Sequence, residues 1–172
     1  FTDLKSQFST GIELRGKTLG IIGLGVIGKE VAKTAFGLGM KVIATSTTIK
    51  KETIDISFIN GQSISFEIET QPLDSLLKSS DFITLHVPYQ ENPLISTKEI
   101  DLMKTGVGII NTSQGGAFDE IALINAIESE KVKYAALDVF ETEPKPEVQL
   151  LMNPELSLTP HIGGTTIDTI YK

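Results

Sequence analysis

The chain has 172 residues, 40% of them hydrophobic, no cysteine and a formal net charge of −7. That length supports one domain with a sizeable core, and the missing cysteines exclude disulfides, thiol nucleophiles and zinc–cysteine sites. The acidic balance leaves no basic stripe for nucleic acid, and no apolar run approaches the ~20 residues of a membrane span. In chain order, an apolar run over Leu19–Ile22 reads as a strand and leads into Gly23-Leu24-Gly25-Val26-Ile27-Gly28. A helix is expected next, from the apolar spacing of Val26, Ile27, Val31, Ala32, Ala35 and Leu38, stopped by Gly37 and Gly39. Lys41–Thr45 reads as the second strand.

Strand, glycine turn, helix and strand in this length form a dinucleotide-binding unit. Gly23 allows the tight turn, Gly25 lets the backbone approach a pyrophosphate, and Gly28 lets the helix pack closely on the sheet. The positive end of the helix dipole, at Val26 and Ile27, then faces the phosphates. An NAD site usually places an acid about 20 residues further on, to bind the ribose hydroxyls. Here that position is Ser46, in a run Thr45-Ser46-Thr47-Thr48 followed by Lys50 and Lys51. These residues do not repel a 2′-phosphate, so NAD and NADP are both compatible with the chain.

Residues 54–70 read as an inserted hairpin, with Asn60-Gly61 suited to a type I′ turn and no role beyond decoration. A short helix is expected over Leu73–Ser80, with Asp74 near its start. A buried strand follows over Phe82–Leu85 and ends at His86-Val87-Pro88. His86 suits a cleft wall better than a second catalytic histidine. Thr97 is expected to cap a helix running to about Met103, Gly108–Asn111 to form a strand, and Asp119 to open a helix over Glu120–Ser129. Asp119 and Glu120 read together as helix-start acids, where negative charge is favourable. Strands over Tyr134–Asp138 and Ser157-Leu158 precede Thr159-Pro160-His161, and Thr165 is expected to start a last helix. Strands alternating with helices imply an α/β, Rossmann-type doubly wound parallel sheet with helices on both faces, plus the small hairpin. Ligands in such sheets sit at the carboxyl ends of the strands.

Four blocks now fall in order: Gly16–Gly28, NTSQGGAFDE over Asn111–Glu120, AALDVFETEP over Ala135–Pro144, and LTPHIGGTT over Leu158–Thr166. Together they resemble the D-isomer-specific 2-hydroxyacid dehydrogenases. The tail PKPEVQLLMNPELSLTPHIGG draws the resemblance toward members that act on 3-phosphoglycerate. The resemblance implies a nucleotide domain spanning residues 1–172, with 1–10 and 165–172 as parts of interdomain helices and the substrate domain outside this chain. It also implies a cytoplasmic homodimer that uses NAD or NADP, acts on a small 2-hydroxy or 2-keto acid, and needs no metal.

The resemblance assigns roles residue by residue. His161 transfers the proton, a task suited to imidazole, which titrates near working pH. Glu143, in ETEP, hydrogen-bonds that histidine and favours its charged form. Asp138 faces the nicotinamide side of the pocket, and its alternative role is capping the following turn. Val87, Pro88, Thr112, Ser113, Gly163 and Gly164 join the glycine loop and Ser46 around the cofactor. The departure is Gln114, where the family places an arginine that binds the substrate carboxylate. Glutamine supplies neither a positive charge nor the five-donor fork. A non-catalytic nucleotide-binding or sensing protein on the same fold is therefore the rival to an active dehydrogenase.

Overall fold

The computed structural model describes residues 11–167. Strand β1 (Thr18–Ile22) is buried at four of its five positions, as a strand covered on both faces must be. It pairs in parallel with β2 (Lys41–Thr45) on one side and β5 (Phe82–Leu85) on the other. Strands β6 (Val107–Asn111), β7 (Val132–Leu137) and β8 (Leu156–Leu158) complete a six-stranded parallel sheet in the order β2-β1-β5-β6-β7-β8. The chain moves outward from β1 to β2, then crosses back to β5 on the far side of β1. The strand order therefore reverses between β1 and β5, which is where a ligand crevice is expected.

Helices lie on both faces. Helix α1 (Val26–Gly37) covers β1 and β2 through Ala32 and Ala35, which join Leu19, Ile21 and Ala44 in one core cluster. Helices α2 (Leu73–Ser79), α3 (Thr97–Leu102) and α4 (Glu120–Glu128) build the larger cluster on the opposite face. There Leu76, Ile100 and Leu123 meet Ile83, Ile109 and Leu137. A short α5 (Val148–Leu151) packs beside β8. Among the described residues, no element covers the α1 side of the sheet beyond β5, where Phe82 and Tyr134 stack with ring centroids 6.2 Å apart. No helix among the described residues is long and apolar enough to cross a membrane.

Several local expectations shift. The insertion is an antiparallel hairpin, but it begins earlier than expected: β3 is Lys51–Ser57 and β4 is Ser63–Glu69. It packs on α1 through Ile54, Ile68 and a Phe66–Phe36 ring stack with centroids 4.1 Å apart. Its turn is not type I′, which needs positive φ at both central residues; only Gly61 has it, at 83°. Phe58 N–H donates to the Gln62 carbonyl and Gly61 N–H to the Phe58 carbonyl, so the loop holds one residue more. Helix α1 ends with Leu38 still right-handed and Gly39 at φ 76°, so Gly39 makes the stop and Gly37 is helical. Helix α3 is capped by Ser96, not Thr97: the Ser96 amide and hydroxyl both donate to the Glu99 carboxylate, at 3.0 and 2.6 Å. The expected last helix begins two residues later than Thr165, at Ile167, and residues 168–172, like segment 1–10, lie outside the described residues.

Candidate functional site

The expected site residues fall into two groups. The first lines a cleft of about 450 Å³ at the carboxyl ends of β1, β2 and β5. Gly23 has φ 100°, and a Cβ there would lie 2.2 Å from the His86 carbonyl oxygen. Only glycine lets the end of β1 pass so close to the end of β5. A Cβ on Gly28 would lie 2.2 Å from the Gly23 carbonyl oxygen, so helix and loop are in close contact. Gly25 is different: its missing side chain would meet no atom within 4 Å.

That open side faces the start of a 12-residue helix with no acid in its first turn and no side-chain cap. Val26 and Ile27 are 83% and 66% exposed there. Free N–H groups at a helix start, a backbone that can be approached closely and room for two phosphates are what a dinucleotide requires. The residues present fit that group.

The other cleft residues form its end at the tip of β2 and its wall. Ser46 Oγ accepts from the amides of Thr48 and Ile49, at 3.3 and 3.1 Å, and so closes its own loop. Lys51 is paired with Glu67 at 3.0 Å, which turns that lysine toward the hairpin. Thr70 ties the loop down from the hairpin's far end, its hydroxyl donating to the Ile49 carbonyl at 2.7 Å. Val87 and Pro88 line the cleft beside His86. His86 Nε2 lies 3.0 Å from Thr84 Oγ1, and burial lowers its pKa below the ordinary histidine value. A half-buried neutral ring of this kind is a wall.

The second group gathers at the carboxyl ends of β6, β7 and β8. His161 Nδ1 lies 2.8 Å from Glu143 Oε2, across 18 residues of sequence. Glu143 Oε1 accepts from the Phe140 amide at 3.0 Å, so the carboxylate is anchored to its own turn. The contact with His161, and then the Phe140 amide, hold Glu143 below the usual carboxylate range, while Glu143 raises the His161 pKa above its ordinary value. Both are open to solvent, with side chains 35% and 55% exposed.

His161 has φ 54°, a left-handed conformation that costs a non-glycine residue about 1–3 kcal/mol and has to be held. Asp138 holds it. One of its oxygens accepts from the Thr159 hydroxyl at 2.5 Å and the Ile162 amide at 2.9 Å, and the other from the Gly163 amide at 2.7 Å. Burial alone would raise the Asp138 pKa, but these three donors outweigh it and lower it. These bonds fasten the Thr159–Gly163 turn, more than 20 residues on, and not the turn that directly follows Asp138, which was the capping role expected of it.

Thr112, Ser113 and Gln114 curl around Asn111, which is 2% exposed. Ser113 donates to Asn111 Oδ1 through amide and hydroxyl, and Asn111 Nδ2 donates to the Gln114 carbonyl. The Gln114 side chain is exposed. The next residue, Gly115, packs on the Phe140 carbonyl so closely that a Cβ would lie 1.7 Å from it. The loop carrying Gln114 is thereby seated on the turn carrying Glu143. An apolar hollow of about 410 Å³, lined by Phe140, Leu151, Leu158 and Pro160, opens beside His161. Thr112, Ser113, Asp138, Gly163 and Gly164 belong to this second group and do not line the glycine-loop cleft.

Sequence reasoning missed one residue here. Glu120 is 4% exposed, and its Oε1 accepts from the Glu141 amide at 2.6 Å. Asp119 alone caps α4, accepting from the Ala122 amide at 2.8 Å. The only signal in the sequence was that Glu120 closes the NTSQGGAFDE block.

The profile of the D-isomer specific 2-hydroxyacid dehydrogenase NAD binding domain matches residues 3–163. The chain is 43% identical over 163 residues to a hydroxypyruvate reductase from Thermotoga maritima, covering 92% of this chain and 49% of that protein. It is 42% identical over 158 residues to a D-3-phosphoglycerate dehydrogenase from Methanocaldococcus jannaschii, covering 91% and 29%. The holo crystal structure of Rhodotorula graminis D-mandelate dehydrogenase superposes with a TM-score of 0.84 at 31% identity, over 99% of this chain and 49% of that one. This chain belongs to the D-isomer specific 2-hydroxyacid dehydrogenase family, as its NAD-binding domain. Its cofactor is a nicotinamide dinucleotide, NAD or NADP. The chain spans half or less of the length of the curated relatives it matches.

Proposed function

We propose that this chain is the nucleotide domain of an active oxidoreductase that interconverts a D-2-hydroxy acid and its 2-keto acid. The observation that carries the proposal is the His161–Glu143 pair, 2.8 Å apart, at the strand ends of a dinucleotide-binding sheet. Bound dinucleotide, on Gly23, Gly25 and the amides of Val26, Ile27 and Gly28, supplies the hydride chemistry. In reduction, His161 donates its proton to the carbonyl oxygen as the alkoxide forms. Glu143 keeps the ring charged and oriented, and Asp138 keeps the loop that carries it in its left-handed turn. Gln114 donates a neutral hydrogen bond to the substrate carboxylate, where the resemblance expects a cation. Thr112, Ser113, Gly163 and Gly164 border the nicotinamide end, with Val87 and Pro88 on the cleft wall. A substrate domain outside residues 1–172, joined through 1–10 and 165–172, completes the pocket, and the complete protein is a homodimer.

The relatives are named for hydroxypyruvate, phosphoglycerate and mandelate. We propose a short 2-keto acid, with 3-phosphohydroxypyruvate as the first candidate. The test is turnover of glyoxylate, hydroxypyruvate and 3-phosphohydroxypyruvate by the complete protein, with NADH and with NADPH. His161→Ala should lower kcat by roughly 10²–10⁴ while leaving dinucleotide affinity within about threefold. One observation favours a second reading: Gln114 lacks the charge expected at its position. If the protein binds dinucleotide tightly and turns over no 2-keto acid, a nucleotide-sensing role replaces the enzymatic one.

A further inference from the structure

The turn that carries Glu143 is fastened at two consecutive amides. Phe140 N–H donates to Glu143 Oε1 at 3.0 Å, and Glu141 N–H donates to Glu120 Oε1 at 2.6 Å. The first bond is internal to the turn. The second comes from outside it, from the first residue of α4. It works beside the contact between Gly115 and the Phe140 carbonyl, so the stretch from Gln114 to Glu120 touches the turn at both of these places.

Glu120 is not behaving as an ordinary helix-start acid. Asp119 already supplies the cap, and a carboxylate serving only the helix dipole would stay in water. Glu120 is instead 4% exposed, and its second oxygen is buried without a hydrogen-bond partner. Burying such a group is unfavourable, and the bond from the Glu141 amide offsets part of the cost. Burial raises its pKa; the Glu141 amide works against that, and the neighbouring carboxylates of Glu141, Glu147 and Asp119 add to it. A protonated Glu120 would still accept from the Glu141 amide and would bring no second charge toward Glu143.

We infer that Glu120 is a positioning residue for proton transfer: its carboxyl oxygen holds the Glu141 amide, and through it the Phe140–Glu143 turn, so that Glu143 meets Nδ1 of His161. It touches neither substrate nor cofactor. The inference rests on the assignment of His161 as the proton-transfer residue.

Two substitutions separate reach from charge. Glu120→Gln keeps the length and the accepting oxygen but cannot ionise. Glu120→Asp keeps the acid but is one methylene too short for the Glu141 amide. In the complete protein, Glu120→Gln should retain kcat within about threefold. Glu120→Asp should lose roughly 10- to 100-fold in kcat, because displacements of about 1 Å at a reacting group carry losses of that order. The KM for dinucleotide should change by less than about threefold in both. The alkaline limb of keto-acid reduction should move to lower pH in Glu120→Asp, since a displaced Glu143 no longer holds His161 charged. A packing role would lower the melting temperature without moving that limb.

If Glu120→Asp fails to fold, Glu120→Met, which has similar volume and no acceptor, takes its place with the same expectation. A folded Glu120→Gln that is less active than Glu120→Asp would overturn the inference in favour of a charge role. Wild-type kcat and an unmoved limb in both variants, with His161→Ala inactive, would overturn it as well. Wild-type turnover in His161→Ala would instead remove the catalytic assignment on which it stands.

Discussion

The glycine-loop cleft and the His161 site are built by different means. The cleft comes from one continuous stretch, β1 to α1 to β2, and its working parts are backbone: a positive φ at Gly23, a close approach at Gly28, an open side at Gly25. The His161 site comes from loops remote in sequence, at the ends of β6, β7 and β8. Its working parts are carboxylates tied to backbone amides: Asp138 to the 162–163 amides, Glu143 to Phe140, Glu120 to Glu141. The first is shaped by backbone geometry. The second holds a charge in a strained position through electrostatics. Damage to one should therefore leave the other standing.

The largest expected effect tests the cleft against the fold that carries it. Gly25→Val should weaken dinucleotide binding at least a hundredfold, about 2.7 kcal/mol, with little change in melting temperature, because its Cβ meets no protein atom within 4 Å. Gly28→Val should lose both binding and stability, since its Cβ meets the Gly23 carbonyl at 2.2 Å. Calorimetry and thermal melts on the two variants measure the split; equal loss of stability in both would show that the space beside Gly25 is not ligand space.

A smaller effect is expected at Gln114. Gln114→Arg in the complete protein should raise kcat/KM for a 2-keto acid at least tenfold, because a charge-assisted bidentate pair replaces one neutral hydrogen bond. Dinucleotide affinity should hold, since Gln114 lies outside the glycine-loop cleft. A fall in activity would mean that a cation from outside this chain already occupies the carboxylate site and is repelled by the new one.

If the Ser46 end of the cleft receives the ribose, as proposed, NADH and NADPH should differ in KM by no more than about tenfold, or 1.4 kcal/mol. Ser46→Asp should favour NADH by repelling a 2′-phosphate. A wild-type preference for NADH above a hundredfold would show that other residues read the ribose. The smallest effect is a displacement of the pH profile. Glu143 raises the His161 pKa, so that ring keeps its proton to higher pH than free imidazole would, whether or not it serves as the proposed donor. Glu143→Gln should therefore move the alkaline limb of keto-acid reduction to lower pH, with kcat at acid pH less affected. An unmoved limb would remove Glu143 from the mechanism.

What could be read without coordinates was what obeys short-range rules. The spacing of Gly23, Gly25 and Gly28 between two apolar runs specified strand, turn and helix, because φ, close approach and helix start depend on neighbours a few residues away. The alternation of strands and helices specified the parallel sheet for the same reason. Local rules also misjudged details: the Asn60-Gly61 turn gained a residue, and Ser96 displaced Thr97 as the cap, since either choice satisfies the local pattern and hydrogen bonding selects between them. His161 and Glu143 could be named from the TPHIGG and ETEP blocks, but nothing in their spacing shows that they meet. The anchoring by Asp138, the seat of Gly115 on Phe140 and the strut from Glu120 were decided by tertiary structure alone. Each joins residues about 20 or more apart in sequence, and which groups meet is settled only when sheet, helix and turns pack together.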